Sequence, residues 1–193
     1  MKLVALAFIA VSTAVAVEPG NCGRTFTAQF SHGGTLDLDI RSGDIKITGS
    51  DQDAVSIECG VGQEGRPDDI RIDFDRQGNK GRLRVHGGPN SDVRIRIRVP
   101  KELNMVLRCP AGDVDIEGIR GSKDISLRAG DLTVQVGNPR DYATAEASVK
   151  AGDIDARAFG RQTGGLFRSF QHKNPGGKYH LKASLWAGDL KFH

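Results

Sequence analysis

The chain has 193 residues, with 27 lysines and arginines against 24 aspartates and glutamates, a formal charge of +3 and 25 glycines. That length suits one domain, and so nearly balanced a charge excludes the strongly basic surface that proteins use to engage nucleic acid through its phosphates. Three cysteines and a 38% hydrophobic content leave room for a packed core and at most one internal disulfide.

Met1-Lys2 precedes an apolar run from Leu3 to Val11 and the small-residue stretch Ser12-Thr13-Ala14-Val15-Ala16. A basic start, an apolar middle and a small-residue end form the pattern of a cleavable export signal, with cleavage expected after Ala16. The run is too short to cross a bilayer, which takes about 20 apolar residues. The expectation is therefore a signal peptide at 1–16 and a single domain at 17–193 with no transmembrane span, in the periplasm or at the cell surface. Cys22 follows Pro19-Gly20-Asn21 rather than the small, apolar run that precedes a lipid-modified cysteine. In an oxidising compartment Cys22, Cys59 and Cys109 allow one disulfide and leave one thiol over. The pairing stays open, and buried thiols are the equal alternative, because Cys59 continues the apolar phase of Val55 and Ile57, and Cys109 that of Leu107.

From residue 36 onward apolar residues recur at every second position: Leu36, Leu38, Ile40; Ile45, Ile47; Val55, Ile57; Ile70, Ile72, Phe74; Val93, Ile95, Ile97, Val99. Charged or polar residues fill the alternate places, which is the pattern of strands with one buried and one wet face. No stretch keeps a helical period. A second pattern is a repeat of a small residue, Gly, Asp and an aliphatic: Ser42-Gly43-Asp44-Ile45, Ala111-Gly112-Asp113-Val114, Ala129-Gly130-Asp131-Leu132, Ala151-Gly152-Asp153-Ile154 and Ala187-Gly188-Asp189-Leu190. From Gly112 the steps are 18, 22 and 36 residues, the last twice the first, as though one coil had lost its signature. One step holds two short strands, such as Val114 to Glu117 and Ile125 to Arg128. Stacking such coils buries an apolar side that no single coil can bury alone. Gly supplies the positive φ of a tight corner, and Asp accepts hydrogen bonds from nearby backbone amides. The fold class expected is all-β, a β-solenoid-like stack of two-strand coils, with a less regular, partly antiparallel N-terminal part up to about Pro100.

Three features together resemble a known family: the strand, turn, strand unit from Leu36 to Cys59; the arginine-rich strand ending in Val99-Pro100 and running into Leu103 to Arg108; and the Gly-Asp series from Gly112 onward. The chain resembles the "putative adhesin" family of bacterial envelope proteins, Gly-Asp-repeat β-solenoids often described as a domain of unknown function. The resemblance implies an exported solenoid without established catalysis, and no catalytic, cofactor-binding or metal residues carry over from it.

Gly60-Val61-Gly62-Gln63-Glu64-Gly65 matches G-x-G-x-x-G, but a dinucleotide loop needs a helix to begin inside it, and here Arg66-Pro67-Asp68-Asp69 leads into the alternating strand at Ile70. A glycine-rich hairpin loop is the better reading. Asp113, Asp131, Asp153 and Asp189 could form a carboxylate ladder offering oxygen ligands to calcium. The fuller Gly-Gly-x-Gly-x-Asp pattern of calcium-binding rolls is missing, however, and turn aspartates usually cap backbone amides. The five histidines and the scattered acids form no H-E-x-x-H, nucleophile elbow or paired-carboxylate pattern. Arg94, Arg96 and Arg98 point one way from one strand and are the candidate contact for an envelope polyanion. The bland alternative is neutralisation by Asp37 and Asp39, or Asp73 and Asp75, on neighbouring strands. The segment 167–177 mixes aromatics and cations outside the repeat spacing and reads as an end cap. The function expected is a non-enzymatic exported envelope or surface protein with an adhesin-like scaffold for binding or assembly, taking no cofactor, its partner an envelope polymer or protein. A structural or regulatory envelope-stress component without a direct ligand is the alternative, and a carbohydrate-active β-solenoid enzyme comes third.

Overall fold

The computed structural model describes residues 17–63, 65–89, 92–163 and 166–193, so the export signal expected at 1–16 lies outside the described residues. The first half contributes β1 (Val17–Asn21), β2 (Phe26–Gln29), β3 (Thr35–Ile40), β4 (Asp44–Ser50), β5 (Ala54–Val61), β6 (Ile70–Gln77), β7 (Lys80–Gly87) and β8 (Val93–Pro100). The second contributes β9 (Asn104–Ala111), β10 (Val114–Glu117), β11 (Lys123–Ala129), β12 (Leu132–Val134), β13 (Tyr142–Ala151), β14 (Ile154–Ala156), β15 (Arg161–Thr163), β16 (Leu166–Lys173), β17 (Tyr179–Ala187) and β18 (Leu190–Phe192). Only single 3₁₀ turns, at Pro67–Asp69, Pro139–Asp141 and Arg157–Phe159, interrupt the strands among the described residues. The Gly-rich loop after β5 leads through the first of these into β6, with no helix of the kind a dinucleotide loop requires.

The strands form two mixed nine-stranded sheets. The first runs β1-β6-β7-β3-β9-β11-β17-β13-β16 and the second β15-β14-β18-β12-β10-β4-β8-β5-β2. Alternation decides which side chains meet between them: Ile95, Ile45, Val114, Leu132, Leu190 and Ile154 follow one another across the second sheet and are all almost completely buried. Leu38, Leu107, Ile125, Ala183 and Ala147 do the same across the first. All belong to one continuous apolar cluster, in which each large aliphatic contributes about 2 kcal/mol by leaving water.

At each Gly-Asp motif the chain crosses from the first sheet to the second: β3 to β4, β9 to β10, β11 to β12, β13 to β14 and β17 to β18. The five crossings lie side by side at one corner. Ala111, Ala129, Ala187 and Ala151 pair in succession, and Ser42 bridges Ala111. A β-carbon on Gly130, whose φ is +120°, would fall on the carbonyl oxygen of Gly112; Gly112, Gly188 and Gly152 meet the carbonyls of Gly43, Gly130 and Gly188 in the same way. Only glycine permits both the conformation and the approach.

One expectation changes. The 36-residue step from Gly152 to Gly188 is not a coil with a lost signature. β15 and β16 pair antiparallel with β14 and β13 and occupy their outer edges. The returning chain takes the inner slot, so β17 lies between β11 and β13, and β18 between β12 and β14. The spatial order of the corners is therefore Gly43, Gly112, Gly130, Gly188, Gly152. The region before Pro100 is partly antiparallel, as expected: β1–β6, β6–β7, β2–β5 and β5–β8 are antiparallel pairs, while β7 and β8 run parallel to β3 and β4 and so continue the same two sheets. Antiparallel pairs also close the other end of the sheets.

Each end is also fastened. Cys22, just beyond β1 of the first sheet, forms a disulfide with Cys59 on β5 of the second, while Cys109 is a buried free thiol. Phe74 lies edge-on to Phe26 and Phe30 nearby. At the other end Phe159 packs 5.5 Å from Phe170 and 6.0 Å from Phe192 between ring centroids. Phe170 comes from the segment read as a cap, and its strand β16 takes that place at the edge of the first sheet.

Gly130→Ala is expected to cost about 2–4 kcal/mol through strain and overpacking. Gly78→Ala, with φ +58° and open space around it, should cost only about 1–2 kcal/mol; chemical denaturation of the two variants measures the difference. Replacing Cys22 and Cys59 together by Ser reopens a link of sequence separation 37. A loss of about 2–4 kcal/mol in unfolding free energy is expected from the released chain entropy.

Candidate functional site

Three carboxylates of the Gly-Asp corner accept from backbone amides of the neighbouring motif. The backbone N–H of Asp131 donates to Asp113 Oδ1 at 2.9 Å, that of Asp189 to Asp131 Oδ1 at 2.8 Å, and that of Asp153 to Asp189 Oδ1 at 3.0 Å. Each of these three carboxylates thus ties one Gly-Asp corner to the next, which is the backbone-capping role open to a turn aspartate. The first copy joins through the main chain, the Ile45 N–H donating to the Asp113 carbonyl at 2.8 Å.

Arg94, Arg96 and Arg98 all lie exposed on the outer face of the second sheet. The aspartates proposed to neutralise them do not reach, because β3 and β6 belong to the first sheet. Asp37 instead meets Arg108 at 2.8 Å and Arg82 at 3.6 Å, and Asp73 meets His86 at 2.9 Å. Strands of one alternating sequence pattern are divided between two sheets, so a charge pairs only with its lateral neighbours. For Arg98 that neighbour strand supplies Glu58, at 2.8 Å. Farther across the sheet Lys46 is 2.8 Å from Glu117 and 3.4 Å from Asp115. The arginine stripe is thus part of a mixed-charge face.

The outer face of the first sheet differs. Parallel register places Arg108, Ser126, Ser184 and Ser148 in one lateral row, continued by Ser169 on β16. Ser126 Oγ and Ser184 Oγ are 3.3 Å apart. Two residues further along the strands stand Arg128, Trp186 and Lys150 on three adjacent strands; Arg168 on the fourth is in register with Val149, one place short of that height, and lines the same concavity. Trp186 is 58% exposed, the exposed large hydrophobic residue among those described. Lys150 Nζ sits 3.6 Å from the indole centroid, a close cation–π contact. These residues line an open concavity of about 650 Å³, in which Asp39 is the one carboxylate.

Sequence reasoning missed this group, although a signal was present. Asp39, Arg108, Ser126, Ser148 and Ser184 each stand four residues before a motif glycine, and Arg128, Lys150 and Trp186 each stand two before one. Equal offsets from a stacked corner are equal heights on the sheet.

It missed a buried cation as well. Lys123 continues the inward phase of Ile125 and Leu127 and is 2% exposed. Its Nζ donates to Tyr142 Oη at 2.7 Å and to the carbonyls of Ile119 at 2.9 Å and Gly121 at 3.2 Å. Burial pushes the ammonium down to about 8, and burial first of all pushes the Tyr142 phenol up to about 12. The Cys109 thiol, which donates to the Ala111 carbonyl at 3.3 Å, is pushed up to about 11 by burial.

No protein-family model and no curated protein matches the sequence. Among solved structures, one named "putative cell adhesion protein" from Clostridium sporogenes is similar at 11% identity, covering 91% of this chain and 99% of that one, with a TM-score of 0.47. Another, named "putative lipid binding protein" from Parabacteroides distasonis, is similar at 12% identity over 90% of this chain and 94% of that one, with a TM-score of 0.23.

Lys123 gives the protein a pH dependence of known sign. Its folded value of about 8 lies below the ordinary 10.5, so between these values the unfolded chain binds more protons and stability rises with pH. The slope for this one group approaches about 1 kcal/mol per pH unit. Lys123→Met removes the effect: its stability relative to wild type should fall by about 1–2 kcal/mol between pH 7.5 and 9.5 in urea denaturation. An unchanged difference would show that the lysine titrates normally.

Proposed function

We propose that this chain is a non-enzymatic, exported envelope or surface protein, whose coils stack as an adhesin-like β-solenoid and whose outer sheet faces serve binding or assembly. The observation that carries the reading is the concavity around Trp186. A large aromatic side chain held in water on a rigid sheet, within a ring of cations, is the composition of a contact surface rather than of a solvated one. Arg128, Lys150 and Arg168 make no ion pair among the described residues, which leaves their charge available to a partner. Four adjacent strands hold these groups, so a ligand would meet them with little ordering cost. One carboxylate oxygen each of Asp113, Asp131 and Asp189 accepts from a backbone amide of the next corner, which supports an architectural role for the repeat.

The test is co-sedimentation of the purified protein with isolated bacterial envelopes. Wild type should pellet with them. Trp186→Ala should lower the bound fraction at least about five-fold, on the order expected for losing a central aromatic anchor. The triple change of Arg94, Arg96 and Arg98 to Glu should bind as wild type does. Failure of wild type to sediment sinks the binding role, and loss in the arginine variant alone moves the contact to the second sheet.

A further inference from the structure

Trp186 is the single tryptophan of the chain, and its surroundings have a definite chemical character. The Lys150 ammonium sits against one indole face, and the residue as a whole is 58% exposed. Beneath it runs the hydroxyl row Ser126, Ser184, Ser148 and Ser169. Arg128, Lys150 and Arg168 stand beside it without ion pairs among the described residues, whereas Arg108 is held by Asp37. Three kinds of group therefore face one space: an aromatic plane, a line of neutral donors and acceptors, and unneutralised cations.

Resting on the binding role proposed above, we propose that this face binds an acidic polysaccharide, an extended chain of pyranose rings bearing carboxylates. The exposed indole suits the C–H face of a sugar ring, since an aromatic ring offers apolar area with a negative quadrupole. Serine hydroxyls both donate and accept, as sugar hydroxyls do. Arg128 and Arg168 offer the planar fork that pairs with carboxylate bidentately, and Lys150 a point charge. Geometry adds to chemistry. The row crosses strands spaced about 4.8 Å apart, and this repeat is of the same order as the advance per sugar along an extended glycan. A polymer lying across the strands would meet a serine hydroxyl at each of four successive strands.

The competing polyanions fit less well. A lipid surface is met by clustered apolar side chains, whereas Trp186 stands over hydroxyls. Nucleic acid calls for a larger net positive charge than +3.

Because no other indole is present, Trp186 emission reports this site directly. Polygalacturonate titrated into the wild-type protein should produce a saturable emission change, with an apparent affinity falling at least about ten-fold between 50 and 300 mM salt. Neutral dextran should produce none. Arg128→Ala, Lys150→Ala and Arg168→Ala combined should weaken the response at least about ten-fold while the indole remains. Trp186→Ala, followed by affinity electrophoresis in polygalacturonate gels, should lose retardation. All four side chains are at the surface, so unchanged thermal unfolding midpoints separate lost binding from lost folding. An equal response to dextran, an undiminished response in the triple variant, or a response to phosphatidylglycerol vesicles or duplex DNA in place of polygalacturonate overturns the assignment. Envelope sedimentation without any polygalacturonate response sinks this ligand and leaves the binding role. A polygalacturonate response without sedimentation does the reverse.

Discussion

The carbonyl oxygen of one corner glycine fills the space where the next would carry a side chain, and the rest of the molecule depends on that contact. It repeats from Gly43 through Gly112, Gly130 and Gly188 to Gly152. Fixing the corners at one height fixes the register of the ten strands that meet there, because each of these begins or ends at its corner. Aligned register in turn makes lateral rows out of residues far apart in sequence: the aliphatic row inside, the carboxylate ladder at the edge, and the serines and cations outside. Substituting one glycine therefore acts on a whole stack and not on a single turn.

Much of this was legible in the sequence. Alternation located the long strands, and the motif located the corners, since both are local consequences of backbone geometry. The spatial order of the coils was not. Ala187 pairs with both Ala129 and Ala151, and the equivalent rows of small and aliphatic residues make neighbouring coils almost interchangeable by local criteria. A 36-residue step is equally compatible with a silent coil and with a detour that returns to an inner slot. Lys123 stayed hidden for another reason: Gly121-Ser122-Lys123 has the composition of a turn, yet the lysine takes the inward phase and satisfies its three donors with two carbonyls and the Tyr142 phenol. The Trp186 group was readable only once offsets from the motif were compared across copies.

The two outer faces derive different electrostatics from the same architecture. On the second sheet, arginines and lysines of β8 and β4 lie next to Glu58, Asp115 and Glu117, so attraction is spent within the surface. On the first, Asp124, Lys182 and Glu146 form a mixed-charge row, serines take the next row on β11, β17 and β13, and among the described residues the cations beside Trp186 have no acidic neighbour on adjoining strands at their own height. Charge placement relative to the corner, and not overall composition, distinguishes a self-satisfied face from a receptive one.

The position of β17 and β18 bears on how the chain reaches this state. These strands follow all the others in sequence but lie in the middle of the C-terminal half of both sheets. β11 and β13 do not pair with each other, since β17 lies between them and their direct link is the Lys123–Tyr142 hydrogen bond, so strand pairing in order of synthesis stalls after β12. The outer hairpins of β13 with β16 and β14 with β15 can form locally, but they wait as a detached unit until the late strands dock between them and the growing stack. Assembly is thus an insertion step, slow in the way of contacts between distant parts of a chain. Until it occurs, the strand edges that will flank β17 and β18 are unpaired, which makes the incompletely folded chain most vulnerable to pairing with another copy.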